Sequence, residues 1–336
     1  MRLGLVITPV YDRGTDPLVH VAEHEQAVAR AGELGFSTVF VGQHFLGSEL
    51  RFYQPVPYLA HLAHFAPGVR VATGIALLAL INPVEAAEQV ATLDVVTRGR
   101  AVFGVGLGYS DRELAAFGVE RRTRVARFTE AVRLVRLLWS GEEVDFDGSY
   151  FQVKAARPAV LPLQRPGPPV WLGGQAEPAV RRAAREADAW YAAPFVRDAD
   201  LGPLREAFLD ERARHGLPLD GEFPLRRDIV IAGSVAGARR LAFERSRSRY
   251  ATYARWGLDG GPGGAAADTG YSALDAEEID QRFILGPPQA CVEQIAGLRD
   301  RTGLTELVIK VHWPGLPHQA AMEQLELFGA EVMPHL

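Results

Sequence analysis

The stretch VRVATGIALLALINPVEAAEQVATLDVVTRGRAVFGV, Val69 to Val105, decides the fold. Val69 to Ile75 is a short apolar, β-branched run and reads as a strand. Pro83 suits the first turn of a helix, because proline lacks only an amide hydrogen that would be unpaired there. That helix runs through Val96, and Arg100 to Val105 (RAVFGV) is the next strand. A strand, a helix and a strand at this spacing imply two parallel strands joined by a right-handed crossover.

The same unit repeats in both directions. Upstream, Leu3 to Ile7 is a strand, Val19 to Leu34 a helix stopped by Gly35, Thr38 to Val41 a strand and Pro57 to Phe65 a helix. Downstream come helix Thr123 to Trp139, strand Val170 to Leu172, helix Glu177 to Ala187, strand Ala189 to Ala192 and helix Leu201 to His215. Strand Arg227 to Ala232, helix Val235 to Tyr253, strand Glu306 to Val311 and a helix near His318 to Phe328 complete the series. Eight alternating strands favour a closed α/β fold, a single (β/α)8 TIM barrel over residues 1–336, rather than an open sheet. Two segments stand outside the alternation as insertions. Ser140 to Pro169, rich in Gly, Pro and aromatics, resembles a linker, but the alternation resumes beyond it. Arg255 to Asp280, with GGPGGAAADTG, is read as a lid loop in preference to a passive insertion.

Thirty-six Lys+Arg against 41 Asp+Glu give a formal charge of −5, which argues against a nucleic-acid partner. The single cysteine, Cys291, excludes an intramolecular disulfide and a cysteine-rich metal site, and fits a cytoplasmic setting. Met1 to Val10 reads as a strand rather than a signal peptide, and Val71 to Ile81 is shorter than the ~20 residues of a membrane span. Lys154 and Lys310 are the only lysines; the arginine excess reads as codon bias before chemistry.

In a parallel barrel the chemistry gathers at the C-terminal strand ends. Gln43, His44 and Phe45 follow the second strand. GVGLGY (Gly104 to Tyr109) lacks the spacing and the downstream acid of a dinucleotide fingerprint. It reads either as backbone brought close to a flat ligand or phosphate, or as a tight turn at the rim. WLGGQAEPAVRRAARE (Trp171 to Glu186) runs from a strand through two glycines into a helix, an arrangement that places free amides where a phosphate could bind; Arg181 and Arg182 read as solvated. His44 is the candidate acid, base or hydrogen-bond donor. His61 with His64, and His20 with His24, read as surface or packing residues, so no metal site is expected. Neither a G-x-S-x-G elbow nor a Walker A loop occurs, so hydrolase and kinase readings drop. Phe45, Phe52, Tyr53, Tyr109 and Trp313 are candidate apolar residues of the mouth, fitting an organic substrate.

Taken in order, AGELGFSTVFVGQH (Ala31 to His44), NPVEAAEQVATLDVVTRGRAVFGVGLGYSDRELAAFGV (Asn82 to Val119), PPVWLGGQAEPAVRRAAREADAWYAAP (Pro168 to Pro194), GPPQACVEQIAGL (Gly286 to Leu298) and LFGAEVMP (Leu327 to Pro334) resemble the bacterial luciferase-like flavin-dependent oxidoreductases. The resemblance implies a (β/α)8 barrel that binds reduced FMN, or the deazaflavin coenzyme F-420, in its mouth, often as a homodimer. By position, His44 matches the histidine that acts near the flavin. Gly74 and Ile75, just after Thr73, match a bulge, often a non-proline cis peptide, that supports the isoalloxazine. Leu107, Gly108, Tyr109, Gly173, Gly174 and Gln175 match the phosphate side, and Ala193 and Pro194 lie beside the ring. Two positions depart from the luciferase pattern: Gln43-His44-Phe45 lies between it and the Asp-His-Phe of F-420 members, and Leu107 stands where luciferases carry a phosphate-binding arginine. The leading expectation is a monooxygenase using reduced FMN and O2 on an organic small molecule, with a separate flavin reductase. The alternative is an F-420-dependent hydride-transfer oxidoreductase; a non-catalytic flavin-binding barrel is the third.

Overall fold

The computed structural model describes residues 1–7, 11–12, 14–47, 50–255, 276–313 and 315–336. Its central sheet is built from β1 (Arg2–Ile7), β2 (Thr38–Val41), β3 (Arg70–Thr73), β4 (Ala101–Val105), β5 (Val170–Gly174), β6 (Ala189–Ala192), β7 (Pro224–Ile231), β8 (Phe283–Gly286) and β9 (Glu306–Lys310). β1 pairs with β2, and each strand through β7 pairs with the next, all parallel. β7 then pairs with β9 and β9 with β1, so eight strands close a barrel, the eight that the alternation predicts. β8 is additional. Its four residues pair with Asp228–Ile231, the upper half of β7, while Pro224–Asp228 pairs with β9. A run this short, following an irregular segment, carries too little periodicity to be read in advance.

Alternation along the strands divides the core. Val6, Phe40, Ala72, Val102, Trp171, Tyr191 and Val308 form one cluster that fills the barrel. Their neighbours Leu5, Val39, Val71, Phe103, Leu172, Trp190 and Leu307 belong to the larger cluster facing the helices. At the N-terminal end Arg2 and Arg70 both pair with Glu222 and with the buried Glu306, closing the bottom with charge.

The helices are α1 (Pro17–Leu34), α2 (Pro55–Leu62), α3 (Pro83–Val96), α4 (Asp111–Ala116), α5 (Arg124–Trp139), α6 (Glu177–Glu186), α7 (Asp198–Arg214), α8 (Val235–Arg255), α9 (Ala276–Arg282), α10 (Pro288–Thr302) and α11 (His318–Glu331). α4, α9 and α10 are absent from the expectation. α10 does carry a legible signal: Cys291, Ile295 and Leu298 are its buried face, at helical spacing, and Gly303 caps it with φ of 68°.

The insertion at 140–169 forms an antiparallel hairpin, Val144–Asp147 with Gln152–Ala156. Glu130 of α5 holds its turn by accepting the backbone amides of Ser149, Tyr150 and Phe151 at 2.9, 2.8 and 2.7 Å. Of the expected lid, residues 256–275 lie outside the described residues; α9, at its end, buries Ile279 beside Trp313.

β3 and β4 approach each other so closely that a Cβ on Gly104 would lie 2.0 Å from the Thr73 carbonyl oxygen. Gly104→Ala is therefore expected to destabilise the fold by about 3 kcal/mol, the upper range for overpacking a rigid core. The check is the denaturation midpoint against Gly14→Ala, where a Cβ meets nothing within 4 Å.

Candidate active site

β2 carries His44 to the barrel mouth, where its Nδ1 lies 3.3 Å from Oε1 of Glu113 on α4. Glu113 was not among the sequence candidates. Its signal was present: Ser110-x-x-Glu113 is a capping-box pattern, and the Ser110 hydroxyl does accept the Glu113 amide at 3.4 Å. The Glu113 carboxylate does not reach back to Ser110. It accepts the Phe45 amide at 2.6 Å instead, and its Oε2 is buried with no hydrogen-bond partner among the described residues. On the other side of the ring, His44 Nε2 is 3.4 Å from the Tyr109 hydroxyl. Phe52 and Tyr109 stand edge-on to His44 at centroid distances of 4.9 and 5.6 Å.

Gln43 fixes this segment to the next strand. Its Oε1 accepts the Leu77 amide at 2.7 Å and its Nε2 donates to Gln54 at 2.8 Å, while Gln54 donates to the His44 carbonyl at 3.1 Å. An uncharged amide can both accept and donate here, where a carboxylate could only accept.

The floor is the Gly74–Ile75 peptide, which is cis. Gly74 donates to Val41 at 2.8 Å, and Ala76 donates to Gly104 at 2.8 Å, so the bulge is held by both neighbouring strands. Thr73 is buried and its hydroxyl donates to the Gly104 carbonyl at 2.6 Å. The glycines of GVGLGY now receive an explanation that neither sequence reading offered in full. A Cβ on Gly106 would lie 2.1 Å from Ile75 Cδ1, and one on Gly173 3.0 Å from the same atom. Gly104, Gly106 and Gly173 thus make room for β3 and the Ile75 side chain. Only Gly108, with φ of 75°, is a turn glycine.

His44, Thr73, Gly74, Ile75, Tyr109 and Gly173 therefore share one side of the mouth. Leu107 and Ala193 are partly buried and lean on the outer core. Gly174 turns its carbonyl to the Trp190 indole at 2.9 Å, and a Cβ on it would meet Ala179 of α6 at 3.0 Å, so the strand passes tightly into the helix, with Gln175 between them. Tyr53 points away, packing on Tyr58 at 4.8 Å and donating to Pro17 at 3.1 Å. Phe45 pairs with Phe117 at 4.6 Å, and Trp313 is fully buried. His24 shares a 2.6 Å hydrogen bond with Tyr58, and His61 one of 2.7 Å with Glu25, which accounts for both as structural groups.

Two arginines of α6, Arg181 and Arg182, correct the sequence reading. Arg181 is engaged by Glu177 at 2.8 Å and Glu211 at 3.3 Å. Arg182, expected to be solvated, is instead partly buried. Its Nε, and the Nε and Nη1 of Arg124 at the start of α5, are buried with no hydrogen-bond partner among the described residues. Burial depresses the pKa of Arg182, and the charges of Arg185 and Arg124 depress it further. Burial likewise depresses Arg124, with Arg121 adding to the effect. Partly buried like charges with unused donors form a site that an anion would stabilise.

Beyond β9, burial pushes the His312 pKa down to about 3, helped by the charges of Lys310 and His318. The folded state keeps this ring neutral, whereas the unfolded chain binds a proton below ~6.5. Stability is thus full above pH 6.5 and falls as the pH drops toward 3, by up to about 1.4 kcal/mol per pH unit. Between pH 6.5 and 5, above the range of ordinary carboxylates, urea midpoints are expected to fall in the native chain and to change less in His312→Gln.

A model of the luciferase-like monooxygenases matches residues 1–306, and the chain belongs to that family. Among curated proteins, a phthiodiolone/phenolphthiodiolone dimycocerosates ketoreductase of Mycobacterium tuberculosis is 29% identical over 230 residues, 62% of this chain and 59% of that protein. The match thus spans about six-tenths of the relative's length. The oxygenating constituent of 3,6-diketocamphane monooxygenase from Pseudomonas putida, in complex with FMN, superposes with a TM-score of 0.81 at 19% identity, covering 100% of this chain and 98% of that one. An F-420-dependent secondary alcohol dehydrogenase has a TM-score of 0.81 at 16% identity, covering 99% and 98%. At these identities the structural likeness speaks for the fold alone. Among the described residues, no helix is long and apolar enough to cross a membrane.

Proposed function

We propose that this chain is a monooxygenase that takes reduced FMN from a separate flavin reductase and uses O2 to oxygenate an organic small molecule, acting in the cytoplasm as a homodimer. The observation that carries this reading is the enclosure of His44 by Glu113, Tyr109 and Phe52, with the cis Gly74–Ile75 peptide at the end of the next strand. The glycine-backed floor, and the buried nitrogens of Arg124 (Nε, Nη1) and Arg182 (Nε) that lack hydrogen-bond partners among the described residues, fit a flat ring with a phosphate at one end. Reduced FMN bound there would supply the electrons and the site of reaction with oxygen. The chain's own residues do the rest. Phe52 and Tyr109 shield the face from water, Glu113 fixes the His44 ring, and Nε2 of His44 is left to hold or move a proton. The test is an anaerobic titration with reduced FMN, followed by oxygen uptake on adding candidate substrates. Tight binding with substrate-dependent uptake is expected. Tight binding without turnover under any reductant would favour a non-catalytic flavin barrel.

The Glu113–His44–Tyr109 sequence of groups favours a second reading, hydride transfer with coenzyme F-420. Three acid–base groups in succession suit the proton that accompanies hydride onto a carbonyl. The ketoreductase relative supports the same class of reaction. Preferential binding of F-420 over reduced FMN, with no oxygen uptake, would replace the first reading by this one.

A further inference from the structure

Behind Tyr109 lies a second polar feature that the proposed reading does not use. Trp313, just beyond β9, is fully buried in a cluster with Val230, Ala238, Ala242 and Phe283, and Tyr109 and Phe195 pack against that cluster. Its indole Nε1–H has no hydrogen-bond partner among the described residues. Arg245 of α8 lies one turn beyond Ala242, with its guanidinium 5.9 Å from the centre of the Trp313 ring. Its Nη1 is buried and likewise without a hydrogen-bond partner among the described residues. Lys310 Nζ lies 6.0 Å from the same ring.

These groups only donate. Among the described residues no carboxylate pairs with Arg245. Asp228 stands opposite Lys310 in the strand register and lies 4.0 Å from Arg226, whereas Glu244 is exposed and acts on Arg245 only through space. Burial depresses the Arg245 pKa, and the charge of Glu244 offsets this only in part. A buried indole donor beside a buried guanidinium donor requires an acceptor, and one with negative charge satisfies both.

The geometry points to Arg245 and Trp313 as the site that binds a carboxylate of the organic substrate. The cluster shared with Tyr109 puts this anchor on the same apolar wall that faces His44, so the substrate is a carboxylic acid with an apolar or aromatic body. The inference rests on the mouth being the substrate site, and its test is kept separate from the cofactor.

Calorimetric titration of the full chain with phenylacetate and with phenylacetamide compares the same body with and without the charge. The acid is expected to bind about tenfold more tightly, the usual gain from charge-assisted hydrogen bonds. Arg245→Gln should abolish that preference while leaving the affinity for reduced FMN or F-420 unchanged, and Trp313→Phe, which keeps the aromatic face, should reduce it. Equal affinities in the native chain, no binding of either probe, or a preference that survives Arg245→Gln would each overturn the assignment. Loss of cofactor binding by the native chain would instead strike the proposed function and leave these affinities to stand on their own.

Discussion

His44→Ala is expected to lower turnover by about 10²- to 10⁴-fold, the range for a positioned acid or base, while leaving cofactor affinity close to that of the native chain. The ring lies beside the floor rather than within it: Ile75 is supported by Gly106 and Gly173, and none of these contacts involves His44. Glu113 acts through His44 and is a positioning residue. Its carboxylate faces Nδ1 at 3.3 Å and the Phe45 amide at 2.6 Å, so it sets which nitrogen is turned toward Tyr109. Glu113→Gln retains an oxygen for the Phe45 amide and should lose less turnover than His44→Ala, whereas Glu113→Ala removes the acceptor of that partly buried amide and should also lower stability. Tyr109→Phe should have a smaller effect, because its hydroxyl stands 3.4 Å from Nε2. Single-turnover rates set beside cofactor dissociation constants separate these roles. Native turnover in His44→Ala removes the histidine from the chemistry.

What the sequence shows of this site depends on how local each cause is. The eight strands are legible because alternation and proline placement act within one unit, and the barrel closes through the β1–β9 pairing that such units imply. His44, Gly74 and Ile75 are singled out through resemblance; the structure shows a cis bond between Gly74 and Ile75 and sets His44 against Glu113. Glu113 announces a helix start through Ser110, but its link to His44 is a contact across 69 positions of chain, which a capping pattern does not encode. The glycines of GVGLGY are misleading in isolation, since the atoms that demand them, Thr73 O and Ile75 Cδ1, belong to the neighbouring strand. Arg182 is the sharpest case. Helical periodicity sets it next to Arg181, which two carboxylates engage, and only the packing of α6 against α5 tells the two apart.

That packing makes the second large prediction. Arg124→Ala and Arg182→Ala are each expected to weaken binding of reduced FMN by about 10- to 100-fold, the equivalent of one charge-assisted phosphate contact of about 1.5–3 kcal/mol. If both guanidiniums grip the same phosphate, their losses should not add, and a double-mutant cycle should show coupling. Reduced riboflavin, which has no phosphate, provides the control: the native preference for FMN over riboflavin should collapse in the double variant while riboflavin affinity stays nearly constant. The effect on the cofactor-free chain has the opposite sign. Each substitution removes a partly buried cation whose donors are unused and which the other cation repels, so the melting temperature without ligand should rise rather than fall. Inorganic phosphate should stabilise the native chain and not the double variant. A residue kept only for the fold cannot produce that pair of results, because its removal would lower stability with or without phosphate. A gain in stability joined to a loss of phosphate affinity identifies the two arginines as held in reserve for an anion.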